Sequence, residues 1–202
     1  MSHVLSILFG ASFTIAVMWS MGRLLFRRLG ITLHAVEHDL LAFITGGAIL
    51  SFSVFILCAI NAARTPVFLV LGIAALALNL RFGAASTGRF PALSRPWTLL
   101  FAVPFAFYAL LYLSNSLAPE TSPDGQAYHL GLVYRFFREH GFHRLTTSMY
   151  ANLPLGFEMV FLFAFSFGRH SAAATVHCCC LLALPLLMLS YARRIERAGV
   201  GV

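Results

Sequence analysis

"LLAFITGGAILSFSVFILCAI", residues 40 to 60, runs without a single charged side chain. An α-helix of that length reaches about 30 Å at 1.5 Å rise per residue, which matches the hydrocarbon thickness of a bilayer. Similar apolar runs occur at 3 to 21, 66 to 80, 97 to 114, 154 to 168 and 172 to 191. The pattern predicts an all-α integral membrane protein with about six transmembrane helices. The third and fifth runs are short, which leaves the fifth open to being tilted or partly re-entrant.

Composition agrees with this reading. The chain is 59% hydrophobic and 10% charged, against roughly 45–50% and roughly 25% in soluble domains. No repeat, linker or low-complexity tail divides it, so residues 1–202 read as one membrane domain. Within it, 1–114 should hold four transmembrane helices, 115–153 a long external loop, and 154–202 two further helices. The chain stops abruptly at "RRIERAGVGV", and the expectation is a C-terminal truncation of a larger protein.

The formal charge of +7 comes from fourteen Arg and no Lys, in short clusters between apolar runs. That distribution suits membrane topology and argues against nucleic acid as a partner, which would need a basic, polar face. No basic residue precedes the first apolar run, and Arg23, Arg27 and Arg28 follow it, so it reads as a signal anchor. Arg23, Arg27, Arg28, Arg81, Arg89 and Arg95 then mark the first two internal loops, with the N-terminus and residues 115–153 outside. On a six-helix count Arg193, Arg194 and Arg197 would also lie outside, opposite an internal Arg169. The four Cys fall in apolar segments, and the run Cys178 to Cys180 fans out around a helix, so neither disulfides nor a thiolate metal site is expected.

One stretch departs from this apolar background: "PETSPDGQAYHLGLVYRFFREHG", residues 119 to 141. Ser122, Pro123 and Asp124 form a helix start, with a capping residue, a Pro in the first turn and an acid against the positive end of the helix dipole. Beyond Gly125, Ala127, Leu130, Val133, Tyr134 and Phe137 recur at helical spacing opposite Gln126, Arg135, Arg138 and Glu139, blurred by Leu132 and Phe136. This predicts an amphipathic helix in the membrane interface, in contact with lipid. "NLPLGFEM", residues 152 to 159, follows, with Pro154 and Gly156 ahead of the return into the bilayer.

These residues carry a resemblance. "APETSPDGQAYHLGLVYRFFREHGF" followed by "NLPLGFEMVFLFAFSFG" resembles the first large external loop and following helix of bacterial GT-C type membrane glycosyltransferases, relatives of the protein mannosyltransferases and of lipid A and core transferases. The shared pattern is an acid, a short gap, "YHL", an amphipathic helix and a Pro-Gly-Glu entry: here Asp124, Tyr128 to Leu130, and Pro154, Gly156 and Glu158. "GRLLFRRLGITL", residues 22 to 33, is similar to the first cytoplasmic loop of some members. The resemblance implies transfer of a sugar from a polyprenyl-phosphate donor to a glycan or lipid acceptor, at the outer face of a bacterial inner membrane. It implies Asp124 as catalytic base or as a residue that positions the acceptor, and Tyr128, His129 and Glu158 as substrate-binding residues, with Arg135, Arg138 and Arg144 as weaker donor-phosphate candidates.

The chemistry fits those residue types. A hydroxyl acceptor needs a carboxylate base, while a phosphate leaving group is a stable anion that needs no acid. Many relatives place a second acid directly after the first; here that position is Gly125. Whether the cofactor includes a divalent metal ion, with Asp124 and His129 as weak ligands, stays open. The alternatives are a non-catalytic or truncated membrane scaffold and a small permease. "HAVEH", residues 34 to 38, matches a zinc-protease pattern of five residues, a weak match in a short loop. His177 reads as a core histidine.

Overall fold

The computed structural model describes residues 3–83, 86, 88, 93–153 and 155–195. Arg89, Pro154 and Arg197, which entered the sequence reading, lie outside the described residues. All regular structure among the described residues is helical: α1 (His3–Leu29), α2 (Ala35–Ala59), α3 (Thr65–Phe82), α4 (Arg95–Leu117), α5 (Leu130–Glu139) and α6 (Gly156–Arg194). A π-helical turn, Gly125–His129, leads into α5, and a short 3-10 turn, Met149–Asn152, precedes α6. Five of the helices, α1 to α4 and α6, are long and apolar enough to cross a membrane. The chain is an all-α membrane protein.

Helices α3 and α4 each begin with Pro at the first turn, where the missing N–H costs nothing and φ is already set. Apolar side chains cannot drive helix association within lipid, so close backbone approach does. Helices α1 and α2 show how. A Cβ at Gly46 would lie 1.6 Å from the Met18 carbonyl oxygen, and one at Gly22 would lie 1.8 Å from that of Ala42. Only glycine permits this crossing. Asn79 of α3 donates to Ser20 of α1 at 3.2 Å, a buried polar tie in the same bundle. By contrast, α4 is almost entirely uncovered, with only Ser116 buried.

The fifth and sixth apolar runs form one continuous element, α6, broken at Arg169, whose backbone is non-helical (φ 61°, ψ −152°). The two arms, 156–168 and 170–194, fold back on each other. The His177 ring lies 5.2 Å from that of Phe157 and 5.6 Å from that of Phe161, so residues twenty apart in sequence meet. The first arm is about 20 Å long at helical rise, too short to cross about 30 Å of hydrocarbon. Its start is tied to the middle of α2, where Ser51 donates to the Gly156 carbonyl at 2.5 Å. Its end is tied to the start of α3 through Thr65 and the Ser166 carbonyl, 3.5 Å apart. The arm therefore begins deep in the bundle and climbs back toward the end from which the loop came. Met159 through Phe165 are all buried, which makes this arm the core of the molecule.

This geometry corrects the placement of the late arginines. Arg169 lies at the loop end, its guanidinium 5.3 Å from the Phe137 ring. Arg194 lies at the opposite end, donating to Glu37 of α2 from Nε at 2.9 Å and again from Nη2. The six-crossing count had reversed them because an apolar run was equated with a span. With the short arm returning, Arg194 joins the end that carries the α1 and α3 arginines. The same pairing occupies the glutamate of "HAVEH", while His38 is fully buried, edge-on to Phe26.

Candidate active site

Residues 118–153 sit across the loop end. They are pinned there by hydrogen bonds from Ala63 N–H to the His140 carbonyl (2.9 Å) and from Phe142 N–H to the Cys58 carbonyl (3.1 Å). The helix start reads as its sequence predicts, with a refinement. Ser122 Oγ accepts from the Gly125 N–H at 3.1 Å, while its own proton goes to Glu120 Oε1 at 2.6 Å. Ser122 is thus the cap, and Glu120 braces it, accepting a second bond from the Ser122 N–H at 2.7 Å. The bonds from the Ser122 hydroxyl and amide hold the Glu120 carboxyl below the ordinary carboxylate range.

Asp124 makes no capping bond. Its side chain is exposed and lines a cleft of about 320 Å³, together with Glu120, His129, Glu158 and His177. Glu158, buried on the first arm of α6, sits with Oε1 2.6 Å from His129 Nδ1, a hydrogen-bonding distance for an imidazole N–H on a carboxylate. A π-helical turn widens the chain by one residue between Asp124 and α5, and such bulges recur at functional sites. Here the turn lets Asp124 and His129 face the same cleft. A Cβ at Gly125 would lie 2.4 Å from the Glu120 carboxyl carbon, so the Glu120 side chain fills the space a side chain at 125 would use.

Aromatic rings continue the arrangement outward. Tyr128 stacks on Tyr150, with centroids 4.3 Å apart and planes at 14°, and its neighbour His129 lies 4.2 Å away. Desolvation first, then the Asp124 charge, raises the Tyr128 phenol above its usual range. A second, larger and mainly apolar cleft of about 840 Å³ adjoins the first through Glu120 and Leu130. It runs along the start of α1, by Val4, Ile7 and Leu8, and ends at Arg169 and His170.

Four of the seven residues singled out from sequence therefore converge: Asp124, Tyr128, His129 and Glu158. Arg135 and Arg138 do not. Arg135 donates to Glu139 at 3.1 Å and Arg138 lies 3.9 Å from the same carboxylate, on the far part of α5. Arg144 is exposed on the loop beyond. The sequence reading also missed residues. His177, read as a core histidine, is exposed on the cleft. Glu120 was legible in principle, two residues before a capping serine, but Tyr150 and Arg169 carry no local signal of their position. Among the described residues no three His, Cys, Asp or Glu are placed to hold an ion, and Asp124 and His129 share the cleft as the two ligand candidates.

Fold and cleft together define the class, an all-α membrane protein with a carboxylate-lined cleft at one end of the bundle. Comparison with known proteins takes the identification no further, since no family model, curated protein or solved structure matches this chain.

Proposed function

We propose that this chain is a membrane glycosyltransferase. It moves a sugar from a polyprenyl-phosphate-linked donor to a glycan or lipid acceptor, with Asp124 as general base. The observation that carries the reading is that Ser122 does the capping while the Asp124 carboxylate stays open on the cleft. An acid at a helix start is ordinarily a cap; this one is left for other work.

In the reaction the acceptor oxygen attacks the anomeric carbon as its proton passes to the Asp124 carboxylate. The bond from that carbon to the donor phosphate oxygen breaks, and the electron pair leaves with the phosphate. The His129–Glu158 pair holds the turn behind Asp124, and Tyr128 and Glu120 line the approach. For the donor phosphate, Arg169 replaces Arg135 and Arg138 as the favoured partner. It ends an apolar cleft suited to a lipid chain, and its left-handed backbone costs on the order of 1–3 kcal/mol for a residue other than glycine. The arginines gathered at the Glu37 end support placing that end in the cytoplasm. The loop would then face the periplasm of a bacterial inner membrane.

Replacing Asp124 with Asn and assaying transfer from polyprenyl-phosphate sugars to membrane acceptors tests this. Transfer should fall by about a thousandfold with donor binding kept. Unchanged transfer would reject Asp124 as the base.

A further inference from the structure

Tyr150 belongs to no element that the amphipathic pattern or the apolar runs bring out, yet it closes an ordered stack. Its ring lies on Tyr128, Tyr128 lies against His129, and His129 is fixed to buried Glu158. One face of Tyr150 is therefore supported from inside the protein, and the residue stays 40% exposed. A tyrosine held in this way offers a rigid, amphipathic surface at small entropic cost, because only two torsions need fixing. Asp124 lines the same cleft as His129, the residue against which Tyr128 lies. A flat aromatic face beside a hydrogen-bond acceptor is chemically matched to a pyranose ring. The axial C–H groups of the sugar pack on the ring, and its equatorial hydroxyls reach outward to polar groups.

We infer that the Tyr128–Tyr150 stack is the platform on which a pyranose of the acceptor lies while its hydroxyl is presented to Asp124. This rests on the glycosyltransferase reading and assigns Tyr150 as a specificity-determining residue of the same site. The acceptor is then a glycan, or a lipid bearing one, and not a simple alcohol. The stack also gives a role to the bond between His129 and buried Glu158, residues 29 apart in the chain.

The test uses the full chain in lipid nanodiscs, with the methyl pyranosides of mannose, glucose and galactose as probes, followed by saturation-transfer NMR. The wild type and Asp124→Asn should both transfer saturation to the axial C–H protons of at least one probe. Tyr150→Ala should lose that signal, and Tyr150→Phe should retain it, since the ring and not the hydroxyl carries the contact. In the transfer assay Tyr150→Ala should raise the acceptor KM about tenfold, which is about 1.4 kcal/mol, and leave the donor KM unchanged. Pyranoside binding that needs Tyr150, in a protein with no transferase activity, would support the platform and reject the glycosyltransferase reading. Transfer with an acceptor KM unmoved in Tyr150→Ala would overturn the platform and leave that reading in place. Failure of every probe to bind the wild type would also overturn it, leaving Tyr150 a ring that meets only lipid headgroups.

Discussion

The two ends of the helix bundle differ in how each holds one carboxylate. At one end Glu37 is buried and doubly bonded to Arg194, and Asp39 accepts from Trp19 Nε1 at 3.0 Å, with the Arg23 guanidinium 4.4 Å above that indole. At the loop end Asp124 is exposed on a cleft, the backbone turns through a left-handed arginine, and two cavities meet. One end joins helices by pairing its charges; the other leaves a charge open and accepts strain beside it. Locally unfavourable choices of that kind concentrate where a protein acts on something else.

The largest effect should come from forcing apart the helices that connect the two ends. Gly46→Leu puts a side chain into the Met18 backbone. It should cost about 3 kcal/mol or more and deplete folded protein, as read by thermal unfolding in detergent. Glu37→Gln should come next. Breaking a buried pair costs about 3–5 kcal/mol when both partners are enclosed, but the Arg194 side chain is 42% exposed, so about 2 kcal/mol is the expected loss. If Glu37→Gln instead left unfolding unchanged and abolished transfer, the division between the ends would be wrong.

Much of the fold was legible in the sequence, and the failures have physical causes. The first four apolar runs became α1 to α4 because length and apolarity alone decide whether a helix can span. The amphipathic helix exists, but its inner face is Leu130, Leu132, Val133 and Phe136, with Tyr134 exposed. Leu132 and Phe136, which blurred a regular 3.6-residue pattern, are the residues that pack inward. The π turn adds a residue ahead of them and rotates the face. The helix also packs on the first arm of α6, through Tyr134 and Phe137 against Phe165, and not only on lipid. The reversal at Arg169 was hidden because a tight turn there needs no Pro, and an apolar run reads the same whether it crosses or returns. Asp124, Tyr128, His129 and Glu158 were singled out through motif likeness; Tyr150 and Arg169 come near them only through tertiary folding.

Smaller effects sharpen the loop end itself. Acidification should weaken the Ser122 turn through Glu120. Its carboxyl titrates lower in the folded chain than in the unfolded one, so the stabilisation is fully present above the unfolded value. It is lost as pH falls through the lower folded value. Carboxyl chemical shifts should follow that course, and Glu120→Gln should remove this acid-side dependence while leaving neutral-pH stability within about 0.5 kcal/mol.

The most direct test of the account compares two neighbouring substitutions, Ser122→Ala and Asp124→Asn, each measured for sugar transfer and thermal unfolding in the same preparation. The account predicts a crossover. Ser122→Ala should lose about 1 kcal/mol of stability as a cap and keep most of its transfer, whereas Asp124→Asn should unfold like the wild type and lose transfer. If Asp124→Asn destabilised the protein as a lost cap does and left transfer intact, the open carboxylate would be structural, and the loop end would not be the catalytic one.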